Sequence, residues 1–156
     1  MLVLLDTTVL TNFVRVELAS TPLRLWGDQV YTTAEALAEY HTGVQTAGLP
    51  RLAWKELRIL ESTSEEQALA LTMSSRLGKG ERACIAIAYM RGAIFATDDG
   101  FARRVARDYA IQITGTVGIL KSCIQHRLLS QSQGQKALDE MIASGYHSPI
   151  QNLSDE

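Results

Sequence analysis

Two short stretches decide the fold of this chain: residues 2–8, LVLLDTT, and residues 93–99, AIFATDD. Each is an apolar run that stops abruptly at aspartate and threonine. A continuous apolar run of this length is typical of a parallel strand that is buried on both faces. Aspartate or threonine directly after it is typical of the cap of a following helix. Both stretches therefore predict a strand that leads into a helix, with acidic groups at the carboxyl end of the strand.

The remainder of the chain continues this alternation. Two more strands are predicted at 29–31 and 111–113. Residues 51–60 are ambiguous: Trp54, Leu57 and Leu60 have helical spacing, whereas 57–59 is suited to a strand. Helices are predicted at 7–16, 33–40 (closed by Gly43), 64–77, 81–92, 101–109, 117–127 and 133–143. Strands that alternate with helices indicate βαβ units, and hence a parallel sheet with helices on both sides. The fold class we expect is α/β.

Length and composition limit the kind of protein. With 156 residues, of which 46% are hydrophobic and 21% charged, we expect one domain over 1–156, with 130–156 as a helical tail packed on it. A net charge of −2 excludes a strong field over the whole molecule. Two cysteines form no disulfide framework, the N-terminus has no basic signal-peptide region, and no apolar run approaches 18 residues. We expect a cytoplasmic protein that does not bind membranes.

Acidic residues occupy four places where polar side chains have little structural reason to be. They are Asp6 after the first strand, Glu39 on a helix, Glu81 after a glycine break, and the pair Asp98 and Asp99 after the second clear strand. In parallel sheets, ligands bind beyond the carboxyl ends of the strands. Acids that converge there repel one another, and a divalent cation reverses that cost. Oxygen-only ligands favour Mg²⁺ or Mn²⁺.

Each of these acids also has a simpler explanation. Asp6 is suited to cap the next helix, and Glu39 to be a solvated helix residue. Glu81 is suited to the first turn of a helix, and Asp98 and Asp99 with Gly100 to a plain turn. Only the combination favours a functional site over these explanations.

The order and spacing of the acids resemble the PIN-domain nucleases over nearly the whole chain. The motifs are Asp6-Thr7-Thr8 after the first strand, Leu37-Ala38-Glu39-Tyr40 on a helix introduced by Thr33, Gly80-Glu81-Arg82-Ala83, and Thr97-Asp98-Asp99. Residues 115–120, GTVGIL, and the tail over 137–146 are similar to the VapC-like predicted nucleases and toxins of bacteria and archaea. The resemblance implies a three-layer α/β/α PIN-like domain with a mostly parallel central sheet.

The resemblance also implies an activity, the metal-dependent hydrolysis of RNA phosphodiester bonds. Its acidic quartet would be Asp6, Glu39, Glu81 and Asp99, with Asp6 as the central ligand. Alignment favours Asp99 over Asp98, but either or both remain candidate ligands. Thr8 or Thr97 is expected to hydrogen-bond a ligand carboxylate or the attacking water. One or two Mg²⁺ or Mn²⁺ ions would lower the pKa of a bound water and stabilise charge on the phosphate; the number of ions stays open.

Basic residues gather near the third and fourth acids. Residues 76–107 hold seven of the 15 basic residues but only three of the 17 acidic ones. This suits a phosphate-binding track, for which Arg103 and Arg107 are the best candidates. The alternative is that these arginines are solvated or pair with Asp108. The three histidines are scattered and form no ligand pair.

Partners are expected from the resemblance. RNA is the expected substrate, a small antitoxin is the expected partner of a toxin, and a homodimer is the expected assembly. Candidate surfaces for the homodimer are the apolar helix at 81–90 and the segment at 50–60.

Two other functions remain open. The first is an RNA-binding or regulatory protein of the same fold with weak or no turnover. Glu81 and the pair Asp98 and Asp99 are the features that favour it. The second is a metal-dependent phosphohydrolase that acts on small phosphoesters.

Overall fold

The structure, a computed structural model, describes residues 1–51 and 53–155. Leu52 of the predicted surface segment 50–60 and Glu156 at the end of the predicted domain lie outside the described residues. The elements in chain order are β1 (Val3–Leu5), α1 (Thr7–Arg15), α2 (Ser20–Trp26), a 3-10 turn (Gly27–Gln29), β2 (Val30–Thr33), α3 (Ala34–Ala47), β3 (Arg58–Leu60), α4 (Ser64–Leu71), α5 (Lys79–Arg91), β4 (Ile94–Ala96), α6 (Gly100–Asp108), β5 (Ile113–Thr114), α7 (Thr116–Gln125) and α8 (Gln131–Ala143).

The five strands form one sheet in the order β3-β2-β1-β4-β5. All neighbouring pairs are parallel, so the predicted α/β fold with a mostly parallel sheet is confirmed. β1 lies at the centre, where Val3 is opposite Val30 on one side and Ile94 on the other. This central position explains its apolar sequence, because a strand between two neighbours and two helix layers has no solvent-exposed face.

Helices cover both faces of the sheet. Alternate residues of one strand face opposite sides: Val3 and Leu5 belong to one apolar core, and Leu4 belongs to the other. The first core is completed mainly by α1, α7 and α8, and the second by α5 and α6. The result is the three-layer α/β/α arrangement that the resemblance implied.

The strand order reverses next to β1, which lies between β2 and β4. Leu5 is opposite Ala96, and the Asp6 amide donates to the Ala96 carbonyl at 2.9 Å. Parallel strands end at the same edge of the sheet, and a crevice forms where the order reverses. The topology therefore brings Asp6 beside residues 97–99, although 90 residues of chain separate them.

Several helix boundaries differ from the predicted ones. Gly43 does not end α3, which continues to Ala47 and ends at Gly48, a left-handed residue with φ +68°. A Cβ on Gly43 would lie 3.0 Å from Leu49 Cδ1, so this glycine makes room for the chain that folds back along the helix. The helix predicted at 64–77 ends at residue 71. α2 was not predicted.

In the part of the chain that the structure describes, no helix combines the length and the apolar character that a membrane span requires. Cys84 and Cys123 are buried and free.

Candidate active site

The five predicted acids line one open cavity at the carboxyl edge of the sheet. The cavity has a volume of about 500 Å³. Its walls are Asp6, Glu39, Glu81, Asp98 and Asp99 together with Thr7, Thr8, Thr11, Asn12, Gly100, Gly145, Tyr146 and His147. The acids come from four places in the chain, so their proximity is a product of the topology and not of a local turn.

Asp6 lies at the bottom of this cavity and is only 1% exposed. One carboxylate oxygen, Oδ1, accepts from the Thr7 amide at 2.7 Å, so Asp6 caps α1 as the simpler explanation expected. The other oxygen, Oδ2, accepts from the Thr97 hydroxyl at 2.7 Å and from the Thr8 hydroxyl at 3.3 Å. Asp6 therefore has a capping role and also lies among the other acids.

Burial and the charges of neighbouring acids raise the pKa of two carboxyl groups of the cavity, Asp6 and Glu81. Burial raises the pKa of Asp6 to about 7, the charges of Glu81 and Glu39 act in the same direction, and hydrogen bonds from Thr97 and Thr7 oppose the rise. Burial also raises the pKa of Glu81, with further contributions from the charges of Asp99 and Glu39. In the absence of a cation, this environment disfavours full ionisation of the cluster.

Glu39 is held at the contact between α3 and α5. Its Oε1 accepts from the Gly80 amide at 3.0 Å, and its Oε2 accepts from the Thr7 hydroxyl at 3.1 Å. A Cβ on Gly80 would lie 2.9 Å from Ala36 Cα, so only glycine lets the two helices approach this closely. Glu39 is half-buried and bonded, which sets it apart from a solvated helix residue.

Glu81 lies in the first turn of α5. Its Oε2 accepts from the Gly78 amide at 3.1 Å, which is the glutamate half of a capping box. The glycines on either side of Lys79 thus bring the start of α5 to α3, and Glu81 enters the cavity from there.

Asp98 and Asp99 are adjacent but have different surroundings. The two oxygens of Asp98 accept four hydrogen bonds: from the Thr116 amide at 2.9 Å and hydroxyl, from the Asn12 side-chain amide at 3.0 Å, and from the Tyr146 hydroxyl at 3.3 Å. Asp99 caps α6 through Oδ1, which accepts from the Ala102 amide at 2.8 Å. Among the described residues, Asp99 Oδ2 has no hydrogen-bond donor.

Two threonines connect Asp6 to this aspartate pair. The Thr97 hydroxyl donates to Asp6 and accepts from the Asp99 amide at 3.2 Å. The Thr8 hydroxyl donates to Asp6 and accepts from the Asp98 amide at 3.0 Å. Both of the threonines singled out in the sequence therefore contact the central acid.

The donor chemistry of the cavity fits a hard divalent cation, because its walls offer carboxylate and hydroxyl oxygens and the acids repel one another. The oxygens are not gathered around a single point, however. Among residues 1–51 and 53–155, no group of three or more His, Cys, Asp or Glu side chains is arranged to hold a metal ion. Glu39, Glu81 and Asp99 each have an oxygen engaged with a backbone amide instead.

The two predicted substrate-binding arginines lie beside the acidic cavity. Arg103 is half-buried, and its Nη1 donates to the carbonyls of Thr97 at 2.8 Å and Thr114 at 3.0 Å, which ties together the ends of β4 and β5. Arg107, one turn later, is exposed. Both line a second cavity, of about 590 Å³.

Several residues of this region were not predicted from the sequence. Asn12 and Thr8 are four residues apart on one face of α1, a spacing that marks a shared helix face. Thr116, Tyr146 and His147 had no such signal, since they reach the site from the end of β5 and from the chain after α8.

A family model described as a PIN domain matches residues 2–155. The chain belongs to the PIN-domain family. PIN domains are generally nucleases and typically use divalent metals, so the chain has a nuclease-type fold. No curated protein and no solved structure is significantly similar to the chain.

Proposed function

We propose that this protein is a divalent-metal-dependent endoribonuclease that hydrolyses RNA phosphodiester bonds. The observation that carries this proposal is the buried Asp6, whose pKa is raised to about 7 by burial and by neighbouring acids in an open cavity. Capping α1 does not require a carboxylate that is buried among other acids, and strongly perturbed acids in a cleft are typical of functional sites.

We assign the cation-binding role to Asp6, Glu39, Glu81 and Asp99. Asp98 has a positioning role in this proposal, because its four donors leave it no free lone pair in the direction of the cavity. When bound, Mg²⁺ or Mn²⁺ lowers the pKa of a water and neutralises charge on the phosphate. Thr97 and Thr8 fix the orientation of Asp6, and Arg103 and Arg107 draw the polyanionic strand to the site.

The test is cleavage of labelled single-stranded RNA by the purified protein with Mn²⁺ or Mg²⁺. We expect cleavage that EDTA abolishes and that Asp6→Asn reduces by at least about a thousandfold, since it removes the central ligand. Asp28→Asn is the matched control. Asp28 is an exposed acid before β2, and its substitution removes the same charge far from the cavity. Equal activity of Asp6→Asn and Asp28→Asn would refute the proposal.

A second candidate function is RNA binding without efficient turnover. It is favoured by the bonds of Glu39, Glu81 and Asp99 to backbone amides, since among the described residues no three acids are arranged to hold a metal ion. RNA binding by folded protein that stays inert with Mn²⁺ over a panel of RNAs would support this alternative.

The biological setting belongs to the same proposal. We propose that residues 1–156 act as one PIN-like unit in the cytoplasm, where the two free thiols remain reduced. A toxin role requires a small antitoxin that is encoded by a neighbouring gene and co-purifies with the protein.

For a homodimer, the apolar run at 83–88 is not available because the core buries it. On α5, Tyr89 and Met90 remain exposed.

A further inference from the structure

The second cavity shares a wall with the acidic one. Asp98, Tyr146 and His147 line both cavities. The second cavity, of about 590 Å³, is otherwise lined by Arg103, Arg107 and mainly apolar or small residues from the end of β5 and the start of α7. Asp98 is its one acidic wall residue among those described, and hydrogen bonds already occupy both Asp98 oxygens. The second cavity therefore has the opposite charge character to the first.

The shared wall is a short segment after α8, residues 145–149, which we call the C-terminal strap. Gly145 turns the chain out of the helix with φ +110°. The Tyr146 amide then donates to the Met141 carbonyl at 3.0 Å, and its hydroxyl reaches Asp98. Burial and the Asp98 charge raise the pKa of the Tyr146 phenol, so it remains a donor at neutral pH. These bonds fix the strap as part of the wall of both cavities.

His147 is exposed on this fixed strap, between the acids and the arginines. Arg103 has one nitrogen committed to two backbone carbonyls, and its other guanidinium nitrogens make no hydrogen bond within the described residues. Arg107 has no ion pair there either: the described salt bridges are Arg91 with Glu66 and Lys136 with Glu140. The guanidinium of Arg107 and the remaining nitrogens of Arg103 are suited to bind phosphate, and the flat ring of His147 is suited to stack on a base.

We propose that the second cavity is a nucleotide subsite, in which Arg103 and Arg107 bind the phosphate next to the scissile one and His147 stacks on its base. This inference deepens the proposed nuclease function and rests on it. A single strand that leaves the acidic cavity across the strap enters the arginine-lined cavity directly. A concave site of nucleotide size accepts an unstacked nucleotide, which a single strand offers and a duplex does not.

The test is binding of short RNAs in EDTA, where no cleavage occurs. A dinucleotide and a trinucleotide, which carry one and two internal phosphodiesters, compete with a labelled longer RNA. For the wild type we expect the trinucleotide to bind about tenfold more tightly, because it gains one charge-assisted phosphate contact and one stacked base. Arg107→Ala and His147→Ala should each lose most of this gain from dinucleotide to trinucleotide.

Arg104→Ala is the matched control. It removes the same charge from the same helix, but Arg104 does not line the second cavity and instead lies 5.9 Å from the Phe101 ring. We expect it to keep the wild-type gain from dinucleotide to trinucleotide. Arg104, Arg107 and His147 are exposed, so all three variants should fold, which circular dichroism verifies.

The outcomes separate this inference from the nuclease proposal. If the wild type and the three variants show the same gain, the subsite is refuted, even if the protein cleaves RNA. If the gain disappears in Arg107→Ala and His147→Ala and persists in Arg104→Ala, the subsite is supported, even if no RNA is cleaved with Mn²⁺.

Discussion

Asp6 is a buried carboxylate whose surroundings favour its neutral form when no cation is present. Its pKa is raised from 3.8 to about 7. Between about pH 4 and pH 7, Asp6 of the folded protein therefore keeps a proton that the unfolded chain has released. The stability linked to this proton is fully present below pH 4 and is lost as the pH rises to about 7. A rise of this size corresponds to a loss on the order of 4 kcal/mol.

From this linkage we predict the pH dependence of unfolding in EDTA. The free energy of unfolding of the wild type should fall between pH 5 and pH 8, and Asp6→Asn should lack much of that fall because it has no charge to bury. Urea unfolding of both proteins at the two pH values measures the difference. The same decline in both proteins would show that Asp6 is not the group that titrates.

Asp98 and Asp99 should respond differently to the same substitution. Asp98→Asn replaces an acceptor with a donor in front of Thr116, Asn12 or Tyr146, and we expect it to lower the free energy of unfolding by about 2–4 kcal/mol. Asp99→Asn keeps a good helix cap, so a change within about 0.5 kcal/mol is expected. Equal losses in urea unfolding at pH 8 would contradict the separate roles.

The acids were predictable from the sequence, but the different roles of Asp98 and Asp99 were not. Acids at strand ends and in a first helical turn are visible as breaks in apolar patterns, and all five line the cavity. The partners of Asp98 are 18, 48 and 86 residues away along the chain. No local pattern encodes such contacts, so the different surroundings of Asp98 and Asp99 were not predictable, although the family resemblance favoured Asp99 as the ligand.

At the scale of elements, the close contact of α3 with α5 positions two of the acids. Gly80→Ala would place a Cβ 2.9 Å from Ala36 Cα. We expect it to lower the free energy of unfolding by about 1–3 kcal/mol through overpacking, although alanine in a helix normally adds stability. It should also weaken Mn²⁺ binding, because the Gly80 amide holds Glu39.

Gly100→Ala is the control for this variant. It lies at the start of α6 with no atom within 4 Å of an added Cβ. Its free energy of unfolding should stay level or rise by less than about 1 kcal/mol. If Gly80→Ala were as stable as Gly100→Ala, the helices would not need the close approach.

Elements with strong apolar patterns were predictable and elements shaped by packing were not. β1 and β4 follow from their apolar runs, whereas α2 has a proline in its first turn and no side-chain cap. Proline is tolerated there, but it obscures the helical pattern. α3 continues through Gly43, where an added Cβ would lie 3.0 Å from Leu49 Cδ1, and a sequence pattern does not distinguish such a glycine from a helix stop.

At the scale of the molecule, the sheet order creates the site. The reversal beside β1 brings the ends of β1 and β4 together, and the helices that follow them start at Asp6 and Asp99. This arrangement was predictable, since strands alternating with helices favour a parallel sheet. The path of the strap after α8 was not, because its contacts with Asp98 and with the first core are long-range.

In the proposed function the acidic cavity binds a divalent cation, although no three acids of the described residues are arranged in advance to hold one. Isothermal titration of Mn²⁺ into the wild type and Asp6→Asn at pH 8 measures this binding, with Asp28→Asn as the charge-matched control. We predict binding by the wild type and Asp28→Asn, and affinity at least about tenfold lower for Asp6→Asn. Identical isotherms for the three proteins, or no binding by folded wild type at millimolar Mn²⁺, would contradict the claim.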